Sequence, residues 1–450
     1  MRIHFIAIGG SIMHSLAIAL HRAGHEVSGS DDQIYDPARG KLAQAGILPE
    51  KEGWDPSRIT EEIEVVILGM HAFADNPELA RARDLGIATY SFPEFIYEQS
   101  KNKQRLVVAG SYGKTTVTSM IMHVLEGVGK KFNYLVGASV PGFDNAVRLE
   151  EDAPLIVMEG DEYLSSKLDP RPKFLLYQGH MVIITGISWD HINVFPTEEN
   201  YVDQFRNLFK GLGKAADVIY NQEDPRLKAM AEEFLVDELH YPHPYKTPSY
   251  KVKNGKFQVK IDGERKELNL IGRHNMSNLM AAWGACRLLG IELDKFLHHM
   301  STFEGANMRM QTYHESAERL VIKDYAHAPA KVQATVEAVR ERFKDRSLIA
   351  CVELHTFSSL DKKFLPHYKH SLKVADHKIV FVDPHAWEKR RLPAITEEEV
   401  LSAFGDRQIT VINDKETLVQ TIAQKTQPKD VLLMMSSGTY AGLDWELLKR

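Results

Sequence analysis

Cysteine is almost absent from this chain, which contains only Cys286 and Cys351 among its 450 residues. Each cysteine lies inside an apolar stretch, so the sequence predicts two buried thiols rather than a disulfide or a pair of metal ligands. Redox chemistry is therefore not expected. The length suits about three domains, and 44% hydrophobic with 26% charged residues is typical of a soluble globular protein.

Long apolar runs and an excess of basic residues are also missing. No segment reaches the ~18 consecutive apolar residues of a membrane-spanning helix, and the opening residues Met1 to Phe5 lead into glycines rather than into a signal-peptide core. We therefore expect a cytoplasmic protein with no membrane partner. The formal net charge of -6 argues against nucleic acid as a partner, because binding to a phosphate backbone needs a broad basic surface. Small anionic molecules remain compatible with it, since loops and helix ends bind phosphate locally.

The clearest motif present is a glycine-rich turn, Gly-Ser-Tyr-Gly-Lys-Thr-Thr at 110–116, between an apolar strand at 106–109 and a helical pattern. Glycines let such a loop fold around an anion, and the N–H groups of the following helix N-terminus point towards it. Lys114 adds a positive charge, and the Thr115 hydroxyl is a candidate ligand for Mg2+. The residues expected to bind a nucleotide are Gly110, Ser111, Tyr112, Gly113, Lys114, Thr115 and Thr116. The alternative is a plain surface turn, because the spacing departs from the usual G-x-x-x-x-G-K-[ST].

The N-terminal segment has the pattern of a strand, a glycine turn and a helix. An apolar run at 3–8 leads into Gly9 and Gly10, and a helical pattern at 13–22 follows. A second predicted strand ends before Asp31, whose carboxylate would accept hydrogen bonds from a ribose or from a loop, as in a Rossmann-type nucleotide site. The glycines do not complete G-x-G-x-x-G, so nicotinamide binding is weakly supported, and a tight turn that needs glycine is the alternative.

Polar residues also follow predicted strands in a second unit, which begins after a polar stretch at 99–104. Glu159 ends one of these strands, and His191 follows the next. The carboxyl ends of parallel strands lie along one rim of a sheet, so we expect Glu159 and His191 near the Lys114 loop. Mg2+ prefers carboxylate and hydroxyl oxygens together with nucleotide phosphates, which makes Glu159 and Thr115 candidate ligands. For His191, a structural hydrogen bond is the competing interpretation.

The chain then continues with strands and helices of a different character. The segment 241–245, Tyr-Pro-His-Pro-Tyr, is predicted to be a connector, and 250–270 to form short strands around Asn-Gly and Asp-Gly turns. A helix is predicted at 279–289. Asn275 would cap this helix, or would recognise an adenine edge together with Asn278.

The order of the motifs, rather than any one of them, indicates a family. They are G-x-x-G-K-T-T, E-x-D-E at a strand end, D-H after the next strand, H-N-x-x-N at a helix start, a hinge arginine, and D-Y-A-H-x-P in a third α/β unit. Over nearly the whole chain this set resembles the Mur ligases of bacterial peptidoglycan assembly. The resemblance implies a three-domain α/β fold: a Rossmann-like UDP-binding domain at 1–103, a central P-loop ATPase domain with a mostly parallel sheet at 104–304, and a C-terminal Rossmann-like α/β domain at 305–450. The last domain would close on ATP and bind the amine substrate.

The resemblance also implies the chemistry and the residues that perform it. ATP, with Mg2+, would convert the carboxylate of UDP-N-acetylmuramate into an acyl phosphate, and an amine would displace the phosphate to form an amide. The implied catalytic residues are Lys114, Glu159 and His191, with Thr115, Glu159 and His191 as metal ligands. The residues that would join the phosphate loop in binding ATP are Asn275, Asn278, Arg309 and Asp324. Those that would bind the UDP-sugar are Gly9, Gly10, Ser11, Ile12, Met13, Asp31 and His71. His327 would make either a further nucleotide contact or a structural hydrogen bond.

Two amine substrates fit the family pattern: the murein tripeptide L-alanyl-γ-D-glutamyl-meso-diaminopimelate of peptidoglycan recycling, or L-alanine of de novo synthesis. Glu-Gly-Asp-Glu-Tyr at 159–163, the insertion at 167–174 and Met-Ser-Ser-Gly-Thr-Tyr at 435–440 favour the tripeptide. The chain departs from the family pattern at three places: Ser111-Tyr112 in the phosphate loop, Met308 before the hinge arginine, and the segment 353–358, which lacks the usual arginine. The last departure bears on which peptide is accepted.

Two rival classes explain less of the sequence. A Rossmann oxidoreductase would leave the Lys114 loop without a role, and a nucleotide-regulated binding protein would bind ATP without turning it over. The expected partners are therefore the small-molecule substrates, and the expected assembly is a monomer or a weak homodimer.

Overall fold

The computed structural model describes residues 1–70, 72–235, 239–306 and 309–449. His71 and Met308, both singled out above, lie outside these ranges. The chain forms two compact units: a first unit of Met1–Ile187, Asp203–Tyr245 and Ala281–Ile291, and a second unit of Ser188–Val202, Lys246–Met280 and Glu292–Arg450. None of the helices in the described ranges combines the length and the apolar character needed to cross a membrane. The domain boundaries after residues 103 and 304 stay predictions.

The N-terminal part of the first unit is a four-stranded parallel sheet. Its strands are β1 (Arg2–Ile6), β2 (Glu26–Ser30), β3 (Val65–Leu68) and β4 (Ala88–Ser91), in the order β2-β1-β3-β4. Its helices are α1 (Met13–Arg22), α2 (Ala38–Gln44), α3 (Pro77–Asp84) and α4 (Phe92–Ser100), with a 3-10 turn at Pro56–Arg58. The predicted strand, turn and helix are confirmed, but β1 ends at Ile6 because Ala7 adopts a left-handed conformation, with φ 69°.

A buried contact between His4 and Glu78 joins this sheet to α3. The Glu78 carboxylate accepts hydrogen bonds from the Asp55 N–H (2.8 Å) and from the Ser30 hydroxyl, and it lies 3.3 Å from His4 Nε2. The side chains of His4 and Glu78 are fully buried. Burial alone would raise the pKa of Glu78, but the hydrogen bonds and the nearby histidine hold that pKa below its usual value. The pair therefore stabilises the ionised carboxylate inside the domain.

We expect Glu78→Gln to lower the free energy of unfolding by about 2 kcal/mol at neutral pH, because the amide loses the charge-assisted hydrogen bonds of the carboxylate. The folded-state pKa of Glu78 lies below the unfolded-state value. Its contribution is therefore present above the unfolded pKa and is lost as the pH falls through the folded pKa. Urea unfolding of parent and variant should show a difference at neutral pH that shrinks in acid. The control is Glu61→Gln at an exposed position, and equal effects of the two variants would contradict the prediction.

The other sheet of the first unit has seven strands. They are β5 (Gln104–Ala109), β6 (Asn133–Leu135), β7 (Val147–Arg148), β8 (Leu155–Glu159), β9 (Met181–Ile184), β10 (Asp217–Asn221) and β11 (Tyr241–Tyr245), in the order β11-β10-β9-β5-β8-β6-β7. The helices along this part of the chain are α5 (Lys114–Gly127), α6 (Lys173–Leu176), α7 (Glu198–Lys210) and α8 (Pro225–Phe234). Every strand pair is parallel except β6 with β7. The apolar runs of β5, β8 and β9 suit a sheet that is covered on both faces.

The connector predicted at 241–245 is wrong, because this segment is the edge strand β11. It pairs in parallel with β10, and Tyr241 donates its N–H to Ala216 O at 2.9 Å. Pro242 and Pro244 occupy the intervening positions, where a backbone N–H would point away from β10. An edge strand needs hydrogen-bond donors on one side only, so both prolines are tolerated there.

The second unit contains an antiparallel sheet and a mostly parallel one. The antiparallel strands are β12 (Ser249–Lys253), β13 (Lys256–Ile261) and β14 (Glu264–Leu268). The second sheet has the order β15-β16-β20-β17-β18-β19, with β15 (Gln311–Glu315), β16 (Arg319–Asp324), β17 (Leu348–Leu354), β18 (His377–Val382), β19 (Thr410–Ile412) and β20 (Asp430–Met435). The turns predicted inside 250–270 are confirmed at Asn254-Gly255 (φ 52° and 72°) and at Asp262-Gly263 (φ 47° and 95°). The antiparallel strand β15 was not predicted.

The remaining helices complete this part of the chain. They are α9 (Arg273–Leu288), α10 (Leu293–Met300), α11 (Pro329–Arg342), α12 (Phe357–Leu360), α13 (Pro384–Arg390), α14 (Glu397–Phe404) and α15 (Lys415–Lys425), with 3-10 turns at Leu365–Tyr368 and Trp445–Lys449. Successive residues of β17 belong to two different apolar clusters. Ala350 and Val352 lie in one cluster, and Ile349 and Cys351 lie in the other. Cys286 and Cys351 are buried free thiols, as predicted.

Candidate active site

The phosphate loop joins β5 to α5 and takes a conformation that requires glycine. Gly113 precedes the first helical residue, Lys114, with φ 78°, and Gly110 has φ 127°. A Cβ atom on Gly110 would lie 2.1 Å from Thr185 Oγ1, so even alanine would displace the loop. The strand, turn and helix expected around this motif are all present. This context is the one in which backbone N–H groups bind phosphate.

Lys114 is held inside the site by two oxygen acceptors. Its Nζ donates hydrogen bonds to Gly110 O at 2.7 Å and to Glu162 Oε2 at 2.5 Å. The Lys114 side chain is 13% exposed and that of Glu162 only 1%. Burial alone would lower the pKa of Lys114, but Glu162, Asp161 and Glu159 raise it above its usual value. Lys114 is therefore a permanently charged group beside the phosphate loop.

Glu159 lies at the carboxyl end of β8 and accepts two hydrogen bonds. Thr115 Oγ1 donates to its Oε1 at 2.8 Å, and the Gly137 N–H donates to its Oε2 at 2.7 Å. Within the described ranges, no group of three or more His, Cys, Asp or Glu side chains is arranged to hold a metal. Mg2+ at a nucleotide site takes only one or two carboxylates, and phosphates and waters complete its shell. The Thr115 and Glu159 oxygens fit this mode of binding.

Tyr112, one of the departures from the family pattern, packs the loop against the residues that follow β9. If Gly186 carried a Cβ atom, that atom would lie 2.0 Å from the Tyr112 hydroxyl. The Tyr112 ring therefore packs against the Gly186 backbone, where only glycine leaves room for it. The Tyr112 carbonyl accepts a hydrogen bond from the Thr185 hydroxyl. Burial and the nearby Asp224 raise the pKa of Tyr112 above its usual value. Tyr112 is thus a neutral packing group rather than an acid or a base.

His191 belongs to the second unit, where it lies in a turn after β9. The residue has φ 56°, a left-handed conformation, and its N–H donates to Asp190 Oδ1 at 2.8 Å. Burial alone would raise the pKa of Asp190, but Lys331, His191 and His327 lower it below its usual value. The predicted grouping of His191 with the phosphate loop stays a prediction.

Asn275 and Asn278 form a buried polar pair in the second unit. Helix α9 begins at Arg273, so both residues lie inside the helix and the predicted N-cap role of Asn275 is wrong. The Asn275 amide donates to Ile271 O at 2.9 Å, and the Asn278 amide donates to Asn275 Oδ1 at 3.2 Å. The helix starts earlier than predicted because Gly272 (φ 84°) turns the chain and its carbonyl accepts the N–H of Asn275. The alternative role in nucleotide recognition stays open.

The hinge arginine and the D-Y-A-H segment are ordered by backbone contacts. Asp324 accepts the Ala326 N–H on Oδ1 (2.7 Å) and the Met310 N–H on Oδ2 (2.8 Å). The Arg309 guanidinium lies 4.5 Å from the centroid of the Tyr325 ring. His327 Nδ1 donates to Tyr325 O at 2.8 Å, and burial is the main reason that its pKa falls to about 3. For His327, these contacts favour the structural hydrogen bond.

The N-terminal glycine turn is tied to Asp31. The Gly9 N–H donates to Asp31 Oδ2 at 2.7 Å, and a Cβ atom on Gly9 would lie 2.9 Å from the same oxygen. Burial and the neighbouring Asp32 raise the pKa of Asp31 to about 6. The rest of the predicted set, Gly10, Ser11, Ile12 and Met13, leads directly into α1.

The segment 353–358 forms a polar cluster at the carboxyl ends of β17 and β20. The buried Glu353 accepts hydrogen bonds from the Ser436 hydroxyl and from the Tyr440 N–H (3.0 Å). His355 Nε2 lies 3.1 Å from Ser437 Oγ. Burial and the nearby Arg390 lower the pKa of His355 to about 4. His355 is therefore neutral near pH 7 and does not supply the charge of the arginine that it replaces.

The structure thus brings Lys114, Thr115 and Glu159 together in the first unit. Asn275 with Asn278, and Arg309 with Asp324, lie in the second unit, as does His191. Sequence reasoning missed Glu162 as the partner of Lys114, although the E-x-D-E motif contains it. The available signal was the second glutamate of this motif, three residues after Glu159.

Three family models match successive parts of the chain. The model of the Mur ligase family catalytic domain matches residues 2–104, that of the Mur ligase middle domain matches 108–286, and that of the Mur ligase glutamate ligase domain matches 308–438.

Curated relatives and solved structures match over most of the chain. One relative is a UDP-N-acetylmuramate–L-alanyl-γ-D-glutamyl-meso-2,6-diaminoheptandioate ligase of Escherichia coli, which is 28% identical. The match covers 100% of this chain and 98% of the relative. A UDP-N-acetylmuramate–L-alanine ligase of Levilactobacillus brevis is 30% identical. The match covers 83% of this chain and 81% of that relative. The crystal structure of a murein peptide ligase of Psychrobacter arcticus has a TM-score of 0.67 at 22% identity, over 100% of this chain and 98% of that one. The crystal structure of a UDP-N-acetylmuramate–alanine ligase of Thermotoga maritima has a TM-score of 0.73 at 20% identity. The match covers 100% of this chain and 99% of that one. The overall fold is the one expected.

Proposed function

The chain belongs to the Mur ligase family of ATP-dependent enzymes that form amide bonds in peptidoglycan synthesis, and from this premise we propose that it joins UDP-N-acetylmuramate to a murein tripeptide. The tripeptide is L-alanyl-γ-D-glutamyl-meso-diaminopimelate, and the reaction serves peptidoglycan recycling. Residues 1–103 bind the UDP-sugar, 104–304 bind ATP, and 305–450 bind the amine and close on the nucleotide. L-alanine is the second candidate for the amine, because L-alanine ligases are as similar in identity as the tripeptide ligase.

The observation that carries this proposal is the arrangement of charged groups around the phosphate loop. A carboxylate is a poor acyl donor, so its conversion to an acyl phosphate must be driven by transfer of the γ-phosphoryl group of ATP. Lys114, held at the loop by Glu162 and Gly110, stabilises the charge of the transferring group. Thr115 and Glu159 would hold Mg2+, which would supply positive charge beside the nucleotide phosphates. A Rossmann oxidoreductase does not transfer a phosphoryl group, so it would not require these charged groups at the phosphate loop.

The insertion supports the tripeptide over L-alanine. In the first unit Leu164 pairs with Pro172 in an antiparallel bridge, which folds the insertion into a compact loop. The distance from Arg171 Nη2 to Glu94 Oε1 is 3.8 Å. Lys167 Nζ lies 3.5 Å from the centroid of the Phe73 ring, in the loop after β3. The insertion, which the family pattern associates with the tripeptide ligase, therefore adds contacts to residues of the N-terminal domain.

We expect phosphate release from ATP to require UDP-N-acetylmuramate, Mg2+ and an amine together, and to be faster with the tripeptide than with L-alanine. The physical reason is that the acyl phosphate releases phosphate only when an amine displaces it, provided that water is excluded. Phosphate release is measured with each substrate omitted in turn, and the product is identified by mass.

Each departure from this result has a distinct meaning. Turnover with L-alanine and none with the tripeptide would assign the de novo reaction instead. ATP binding without phosphate release in any combination would favour the nucleotide-regulated binding protein. Equal phosphate release without an amine would remove the ligase mechanism.

A further inference from the structure

The turn that carries His191 is packed onto the segment that follows β17 of the C-terminal sheet. Residues Ser188–Val202 fall in the same compact unit as that sheet, although β9 before them falls in the first unit. The Trp189 ring meets Phe364 edge to face, with centroids 5.4 Å apart, and meets His367 at 5.6 Å. The Ile192 N–H donates to Ser358 Oγ at 3.3 Å. Both sides of His191 are thus attached to the C-terminal part of the chain.

Asp190 adds a charged contact to this packing. Its side chain is 8% exposed, and its Oδ2 lies 3.5 Å from Lys331 Nζ. Lys331 lies in the first turn of α11, where the positive end of the helix dipole disfavours a cation. A buried carboxylate beside this turn offsets that cost. The position of Lys331 is therefore explained by Asp190 rather than by the helix.

Asp190 also shapes the turn at His191 directly. Its Oδ1 accepts the His191 N–H at 2.8 Å, while Oδ2 faces Lys331. His191 has φ 56°, a left-handed conformation that is uncommon for residues other than glycine, although histidine adopts it more often than most residues. One carboxylate thus connects the backbone of His191 to a side chain of α11.

We propose that Lys331 is a positioning residue, which acts through Asp190 to hold His191 in its left-handed turn and so sets where the imidazole lies. The catalytic consequence rests on the proposed function and on the metal-ligand role that the family resemblance implies for His191. The conformational part does not depend on it.

The test compares Lys331→Met, which keeps the aliphatic stem and loses the charge, with Lys331→Arg, which keeps the charge. Lys363→Met at an exposed position of the same unit is the matched control. Hydrogen exchange of peptides covering 188–195 is measured by mass spectrometry. The Mg2+ concentration for half-maximal phosphate release is measured in parallel.

For Lys331→Met we expect exchange in 188–195 to become about tenfold faster and the half-saturating Mg2+ concentration to rise about tenfold. Exchange elsewhere should match the parent. Lys331→Arg and Lys363→Met should behave as the parent in both measurements. Unchanged exchange in Lys331→Met, or an Arg variant as disturbed as the Met variant, would overturn the proposal. If the parent has no ligase activity, the proposed function fails, and the exchange measurement alone decides the positioning role.

Discussion

Replacing Lys114 by alanine is expected to lower kcat for phosphate release by about a hundred- to a thousandfold, because it removes the preorganised charge beside the transferring phosphoryl group. Lys114 is 13% exposed and donates to Glu162 at 2.5 Å, so its position is set before the nucleotide arrives. Its raised pKa keeps it charged throughout the working range. The loss should fall mainly on kcat rather than on the KM for UDP-N-acetylmuramate, which we propose is bound by residues 1–103.

The alanine variant also leaves the Glu162 carboxylate, which is 1% exposed, without its cation. An unpaired buried charge is strongly destabilising, so lost activity could reflect lost structure. The double variant Lys114→Ala/Glu162→Gln removes the uncompensated charge. We expect it to melt close to the parent and still to lack turnover.

Lys130→Ala is the matched control, since Lys130 is exposed in the same unit. Its rate should equal that of the parent. If Lys114→Ala, folded and able to bind ATP, kept a rate near that of the parent, Lys114 would have no part in the mechanism.

The features that the sequence predicted well are those determined by local chemistry. The phosphate loop was placed correctly because a buried strand, glycines and a helix can meet in few ways. The helix at Met13–Arg22 followed from apolar periodicity and the glycine that ends it. The hairpins of 250–270 followed from Asn-Gly and Asp-Gly, which favour the positive φ angles observed there. Each of these signals lies within a few residues of the structure that it specifies.

Among the features that were missed, the strand β11 and the partner of Lys114 depend on residues far along the chain, whereas the start of α9 depends on a local turn. Tyr241–Tyr245 forms a strand because its backbone pairs with that of β10. Its two prolines are rare in strands, so the local sequence does not indicate this pairing. Asn275 lies inside α9 because Gly272 starts the helix earlier than apolar periodicity shows. The partnership of Lys114 with Glu162 spans 48 positions, and the E-x-D-E motif alone does not show which of its carboxylates pairs with Lys114.

Replacing Glu159 by alanine is expected to raise the Mg2+ concentration for half-maximal phosphate release by about a hundredfold. Thr115 Oγ1 and Glu159 Oε1 lie 2.8 Å apart at the end of β8, and a carboxylate is the stronger ligand of the two for a hard cation. Without it the ion would be held by a hydroxyl, waters and phosphates alone. Saturating Mg2+ should restore part of kcat, because the phosphate loop and Lys114 are untouched.

Glutamine at position 159 separates the two roles of this side chain, since Glu159 also accepts the Gly137 N–H at 2.7 Å. Glu159→Gln keeps the size and one acceptor oxygen but loses the charge, so a metal role predicts a Mg2+ requirement raised almost as far as in the alanine variant. A purely structural role predicts a glutamine variant with a normal titration and an alanine variant that is only less stable. Glu151→Ala, at an exposed position of the same unit, should leave the titration unchanged. An unaltered Mg2+ requirement in both position-159 variants would exclude Glu159 as a ligand and would assign its carboxylate to holding Thr115 and Gly137 in place.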